Sequence, residues 1–182
     1  MKIVPTELSG AMVIEPDVLG DHRGYFVETW RADLFAEAGI DQPFVQDNQS
    51  SSARGVLRGL HYQIKQSQGK LVRVISGRVF DVAVDLRRSS PTCGRWVGVE
   101  LSADNHRQFW VPPGFGHGFY VLSETAEFVY KCSDYYAPEH ERVIRFDDPA
   151  IGIDWPLVPG VPTVLSDKDR GGVAWAQADL FD

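Results

Sequence analysis

Short apolar runs, separated by polar and turn residues, recur through the middle of the chain. Residues 70–75 and 78–86 are rich in valine and isoleucine, and Ser76-Gly77 between them supplies a tight turn. Residues 96–101 and 108–111 predict two further strands, closed by a Pro112-Pro113-Gly114 turn. Residues 119–122 and 126–131 continue the series, and His61 lies in similar strand-like surroundings. Short strands at this spacing, without intervening helices, predict an all-β antiparallel sandwich or barrel.

Helical pattern is confined to short pieces. Residues 31–38 carry alanine, leucine and glutamate, and Gly39 is placed to end the helix in a left-handed cap. A weaker helical turn is expected at 103–106. After Asp154 the chain is rich in proline, glycine and aspartate. This tail is expected to wrap the body, with Trp155 and Trp175 as anchors. No repeat, low-complexity stretch or flexible linker divides the sequence, so residues 1–182 read as a single domain.

Composition narrows the function without naming it. Hydrophobic residues make up 43% and charged residues 24%, as in an ordinary soluble globular protein. A net charge of −7 argues against nonspecific binding of a nucleic-acid polymer, though not against one nucleotide in a local basic pocket. The N-terminal residues lack the pattern of a secretory signal, and no apolar run approaches membrane-spanning length. Cys93 and Cys132 show no metal-ligand spacing and read as free thiols. A cytoplasmic protein with no membrane association is expected.

The chemistry concentrates in Arg58-Gly59-Leu60-His61-Tyr62-Gln63 and in Lys70 just beyond it. A lone strand histidine is more often structural than catalytic. On an extended strand, however, Gln63 shares the face of His61, while Arg58 starts on the opposite face unless a bulge intervenes. A polar inward face in a small barrel is explained most economically by a ligand cavity. Histidine titrates near neutrality and can take a carbon-bound proton if the resulting anion is stabilised. Lys70, at a strand entrance, is the candidate stabiliser; by composition alone it would be a surface lysine. His117 reads either as a substrate contact or as a packed histidine. Tyr130 is either a core aromatic or a proton donor facing the cavity. Tyr135-Tyr136 offers a loop aromatic for stacking on a base. The Asp167-Lys168-Asp169-Arg170 run would ordinarily be a solvated turn, but an aspartate beside His61 would hold its tautomer and raise its basicity.

Gly55, His61, Lys70 and Gly77 form a framework that resembles the first motif of the cupins, in which a glycine, an HxH pair, a glutamate and a glycine mark two strands. Here Gln63 stands at the second histidine position and Lys70 at the glutamate position. Pro113-Gly114-Phe115-Gly116-His117 resembles the second motif. With these replacements His117 has too few companions for a metal site.

More specifically, the chain resembles the dTDP-4-dehydrorhamnose 3,5-epimerases, a metal-free cupin branch, over nearly its whole length. The markers include Gly20-Asp21-His22-Arg23-Gly24, Phe44-Val45-Gln46-Asp47-Asn48, Val56 through Gln63, Gln68-Gly69-Lys70-Leu71-Val72-Arg73, Val79 through Asp85, Pro113 through Phe119 and Leu165-Ser166-Asp167-Lys168-Asp169. Two departures, Gln49 where histidine is common and Gly116 where alanine is frequent, leave the proton chemistry untouched.

The resemblance implies a cupin-type jelly-roll homodimer with a few short helices and no cofactor or metal. Its substrate would be dTDP-4-dehydro-6-deoxy-D-glucose, inverted at carbon-3 and carbon-5. It implies His61 as base, Asp169 as its orienting partner, Lys70 as enolate stabiliser and Tyr130 as donor on the opposite face. It further implies substrate contacts at Arg23, Glu28, Gln46, Asp47, Asn48, Arg58, His117, Glu141 and Lys168, with Tyr136 stacking on thymine. Arg23 and Glu28 would reach the partner subunit's site. The rival readings are a single-carbon epimerase of another dTDP-keto sugar, a noncatalytic sugar-nucleotide-binding cupin, and a metal-dependent cupin oxygenase.

Overall fold

The valine-rich centre pairs into two antiparallel sheets packed face to face. In the computed structural model, which describes residues 1–182, the N-terminal part forms β1 (Lys2–Pro5), β2 (Met12–Glu15), β3 (Val18–Asp21), β4 (Gly24–Val27) and the helix α1 (Ala32–Glu37). The body follows as β5 (Gln46–Ala53), β6 (Leu57–Gln63), β7 (Lys70–Ser76), β8 (Arg78–Asp85), β9 (Trp96–Ser102), β10 (Gln108–Val111), β11 (Phe115–Val121), β12 (Thr125–Cys132) and β13 (Glu141–Val143). A short helix, α2 (Asp167–Arg170), lies in the tail.

One sheet has the order β1-β2-β10-β7-β12-β5 and the other β13-β6-β11-β8-β9, while β3 and β4 pair as a separate hairpin. This is the expected all-β jelly roll with a few short helices. Three apolar clusters hold it together. Val72, Val74, Phe109 and Phe128 of the larger sheet meet Val79, Leu101, Phe119 and Val121 of the smaller. On the outer face of the smaller sheet, Leu57, Leu60, Val82, Val84 and Tyr120 pack beneath the tail with Trp155. The third cluster joins Phe35 of α1 to Ile14, Leu71 and Trp110. β8 reads as an almost unbroken apolar run because both of its faces are covered.

The tail wraps as its composition implies. The Trp155 indole N–H donates to the Phe146 carbonyl at 2.9 Å, and Trp175 packs against the same outer cluster. The helix also forms as expected, with Gly39 at φ +85 just beyond it. The helical turn expected at 103–106 forms as a single turn: the His106 N–H donates to the Ser102 carbonyl at 3.2 Å, and the Ser102 and Asn105 side chains cap each other's backbone N–H groups. One expectation fails locally. The strand expected at 119–122 begins at Phe115, so His117 is a strand residue. Its glycines had disguised the strand, yet Gly118 is required there: a Cβ would lie 2.6 Å from the Arg58 carbonyl oxygen.

A bulge sets the inward face of β6. His117 pairs with His61 but Phe119 pairs with Arg58, so β6 carries one extra residue across this interval. Arg58 and His61, which strict alternation would send to opposite faces, both turn into the space between the sheets. Gly59 makes this approach possible. It sits at φ +114, and a Cβ there would lie 2.5 Å from the His117 carbonyl oxygen and 2.6 Å from the Gly118 Cα.

Gly59→Ala is therefore expected to lower stability by about 2–4 kcal/mol. Gly39→Ala carries a conformational cost of about 1 kcal/mol without a clash, since nothing lies within 4 Å of the added methyl. Denaturation midpoints check this; equal losses for the two variants would overturn the account of the bulge.

Candidate active site

The inter-sheet core stops short at one end, and polar side chains line the space that remains. Phe119 and Phe128 stack there with ring centroids 4.2 Å apart and form the apolar boundary. Beyond them lies a cavity of about 330 Å³, a size suited to a small ligand. β5 contributes Gln46, Asn48 and Ser50 by strict alternation, and β6 contributes Arg58, His61 and Gln63. β7 and β12, in the same sheet as β5, add Lys70 and Tyr130, and β11, beside β6 in the smaller sheet, adds His117.

His61 is anchored from the tail. Its Nε2 lies 2.5 Å from Oδ1 of Asp169, whose side chain is only 3% exposed. The neighbours of Asp169 are arranged to receive a carboxylate. Ser166 Oγ donates to its Oδ2 at 2.6 Å, and the Gly59 N–H donates to Oδ1 at 3.3 Å. Burial opposes ionisation of Asp169, but the hydrogen bonds from His61, Ser166 and Gly59 outweigh it and hold the pKa at about 2. An ionised Asp169 accepts the Nε2 proton, which leaves Nδ1 with its lone pair as the basic atom. For His61, burial is the largest influence and lowers the pKa; Asp169 pulls it up, and the charges of Lys70 and Lys168 push it down. The ring is neutral, and therefore a base, at ordinary pH.

Lys70 makes no salt bridge, although its ammonium lies in the field of Asp81 and Glu141. Burial pushes its pKa below the usual lysine value, making it a stronger hydrogen-bond donor. Tyr130 is half-buried and its hydroxyl has no protein partner. Burial raises its pKa, so the phenol keeps its proton at neutral pH. His117 proves both packed and cavity-lining: its Nε2 lies 2.9 and 3.0 Å from the two oxygens of fully buried Asp81.

Charge at the mouth divides into paired and unpaired cations. Lys168 bonds Glu141 at 2.8 Å, and Glu141 also accepts from the Tyr136 hydroxyl at 3.0 Å. Arg58 touches only the Ser52 hydroxyl, at 3.0 and 3.2 Å, and has no carboxylate partner. A chain with net charge −7 thus turns cations into one cavity.

The structure gathers His61, Asp169, Lys70, Tyr130, Gln46, Asn48, Arg58, His117, Tyr136, Glu141 and Lys168 around one cavity. Asp47, Arg23 and Glu28 lie elsewhere, the last two having been expected at a partner subunit's site. Asp47 alternates to the other face of β5, where it pairs with Lys131 at 2.9 Å. Arg23 lies on the exposed β3–β4 hairpin and pairs with Asp21, and Glu28 is exposed just after it. Neither lines the cavity of its own chain. Sequence reasoning gave no role to Asp81, Ser166 or Ser50. A carboxylate inside the apolar run of β8 was a visible sign for Asp81; Ser166 was visible as a helix cap spaced to reach Asp169. Ser50 carried no signal beyond alternation. No group of three His, Cys, Asp or Glu side chains is arranged to hold a metal ion.

A jelly roll enclosing a His–Asp couple, an unpaired lysine and a protonated tyrosine defines a cupin-type isomerase that acts on an acidic carbon–hydrogen bond. The chain belongs to the family described as dTDP-4-dehydrorhamnose 3,5-epimerase, whose model matches residues 5–177. It is 59% identical to the dTDP-4-dehydrorhamnose 3,5-epimerase of Pseudomonas aeruginosa, across 100% of this chain and 99% of that one. Among solved structures, a dTDP-6-deoxy-D-glucose-3,5-epimerase from Legionella pneumophila, in complex with dTDP-4-keto-L-rhamnose, is 54% identical with a TM-score of 0.95. The match covers 98% of this chain and 94% of that chain. A 3′-monoepimerase from Streptomyces bikiniensis, in complex with dTDP-quinovose, is 38% identical with a TM-score of 0.89, covering 95% and 87%.

The geometry predicts the pH dependence. Because the base must be neutral and its pKa is lowered from 6.5, the acid limb of kcat/KM is expected below pH 6.5. Asp169→Asn removes the negative charge that raises the His61 pKa, so the limb moves further down. It also permits the wrong tautomer, and kcat falls by about 10²–10⁴-fold. A pH–rate profile of both proteins checks this; an acid limb that moves upward in the variant would contradict it.

Proposed function

We propose that the protein inverts carbon-3 and carbon-5 of dTDP-4-dehydro-6-deoxy-D-glucose, giving dTDP-4-dehydro-L-rhamnose. The observation that carries this reading is the convergence of His61–Asp169, Lys70 and Tyr130 on one cavity in a member of this epimerase family. Both carbons flank the ketone at carbon-4, so one carbonyl acidifies both protons. His61 Nδ1 removes a proton; the C–H electrons form a C=C bond and the carbonyl π electrons move onto oxygen. Lys70 donates a hydrogen bond to that enolate oxygen. Tyr130 gives a proton to the carbon from the opposite face, and solvent exchange resets both groups. Inversion demands this division, since removal and return on the same face regenerate the starting centre. The steps move protons only and call on no cofactor.

At the nucleotide end, Arg58 and Lys168 are placed for charge-assisted bonds to the diphosphate. Tyr136 offers a face to thymine, and Gln46, Asn48, His117 and Glu141 supply polar contacts. Arg23 and Glu28 serve the site of a second copy in a homodimer. The exposed apolar residues of their hairpin, Leu19 at 67% and Phe26 at 67%, support that reading. No helix is long and apolar enough to cross a membrane, and we place the enzyme in the cytoplasm, where its two free thiols are chemically at home.

A single-carbon epimerase is the second reading, favoured by the likeness to the 3′-monoepimerase fold. Turnover in deuterium oxide separates the two. Solvent deuterium is expected at both carbon-3 and carbon-5 of the product, with no incorporation by His61→Ala. Label at one carbon alone would remove the double inversion. The arm is tested by mixing. His61→Ala and Arg23→Ala chains, each impaired alone, are expected to regain activity when reassembled together, because the mixed dimer holds one intact site. No recovery from an exchanging dimer would place Arg23 outside the partner's site.

A further inference from the structure

At the position where a cupin HxH pair would set its second metal-binding histidine, this chain places Gln63. Its amide does not await a ligand. Nε2 donates to the carbonyl oxygens of Gln66 at 2.7 Å and Tyr135 at 3.2 Å, and Oε1 accepts from the Ala137 N–H at 2.9 Å. The side chain is 4% exposed. Two of these bonds fall on the peptide groups on either side of Tyr136. The third backbone group there, the Tyr136 N–H, donates to Oε1 of Gln46 at 2.9 Å, and the hydroxyl reaches Glu141. The loop carrying Tyr136 has no regular structure of its own, and Tyr136 itself is 51% exposed. An exposed aromatic on such a loop would otherwise sample many orientations and lose that freedom on binding.

We propose that Gln63 is a positioning residue that acts through Tyr136, holding the aromatic ready for the base of the nucleotide. This rests on the dTDP-sugar reading and assigns Gln63 a place in recognition rather than in proton transfer. His61, two residues away on the same strand, is held independently by Asp169. Gln63 therefore governs affinity and leaves the chemical step alone. Replacing the amide strips the partner from two part-buried carbonyls and one buried N–H, and the loop moves to satisfy them with water.

Two variants test this. Gln63→Met keeps the volume and removes all three bonds. Gln63→Glu keeps the acceptor for Ala137 but sets a carboxylate against two carbonyl oxygens. For either variant that folds, as judged by circular dichroism and the melting transition, KM for the dTDP-keto sugar and Kd for dTDP alone are expected to rise about tenfold. The change in kcat is expected to stay within about threefold. The decisive measurement is the cycle with Tyr136→Ala. Once Tyr136 is gone, the Gln63 change is expected to add less than about twofold to Kd, because the two act as one unit. Additive effects, or a fall in kcat with Kd unchanged, would overturn the proposal. Calorimetry with dTDP needs no turnover. An inactive wild type that still shows the cycle would therefore count against the epimerase reading and not against Gln63 as the anchor of Tyr136.

Discussion

Everything in this cavity is organised around the hydrogen bond between His61 and Asp169. It joins a strand of the smaller sheet to a helix in the tail, more than a hundred residues apart. The bond selects the tautomer, aims Nδ1 at the open space and fixes how closely the tail approaches β6. Asp169 receives three donors, so its charge is secured before a substrate arrives. The imidazole needs that support. Burial lowers its basicity, and only a fixed anion behind it keeps it useful as a base. The Gly59 N–H on Asp169 links the couple to the bulge, so the element that aims Arg58 and His61 also holds the carboxylate.

The fold solves a packing problem in order to make this site. A sandwich core excludes buried polar groups unless each finds a partner. Here the aromatic pair Phe119–Phe128 closes the apolar core, and the polar residues beyond it face open space. Those that serve as scaffold are satisfied by protein. Asp81 holds His117, Gln63 holds the Tyr136 loop, and Ser166 holds Asp169. Among the groups proposed to meet the substrate, Lys70, Arg58 and the Tyr130 hydroxyl have no carboxylate partner, whereas His61, His117 and Lys168 each keep one.

Charge follows the same division. Lys168 is tied to Glu141, and the pair frames the mouth. Lys70 and Arg58 remain free of salt bridges, the first with a weakened hold on its proton. Two unpaired cations in an acidic protein match a substrate that brings a diphosphate and develops negative charge on a ketone oxygen. The energetic advantage is local, since interior groups feel each other across a short and poorly screened distance.

The sequence by itself determined a good deal. Valine- and isoleucine-rich runs bounded by turn residues predicted the central strands, because β-branched side chains pack well on a pleated, buried surface. The motif residues placed His61 and Lys70 in one candidate site, and the family resemblance added Tyr130 and brought Asp169 to His61. The first strands and β13 were not legible, being short or polar, and β11 was masked by its glycines. Only the tertiary structure decided that the bulge turns Arg58 inward, that Asp47 faces away and that Asp81 sits behind His117. The physical reason is common to all three. Which face a side chain takes depends on register and on neighbours distant in the chain, and local pattern carries no record of either.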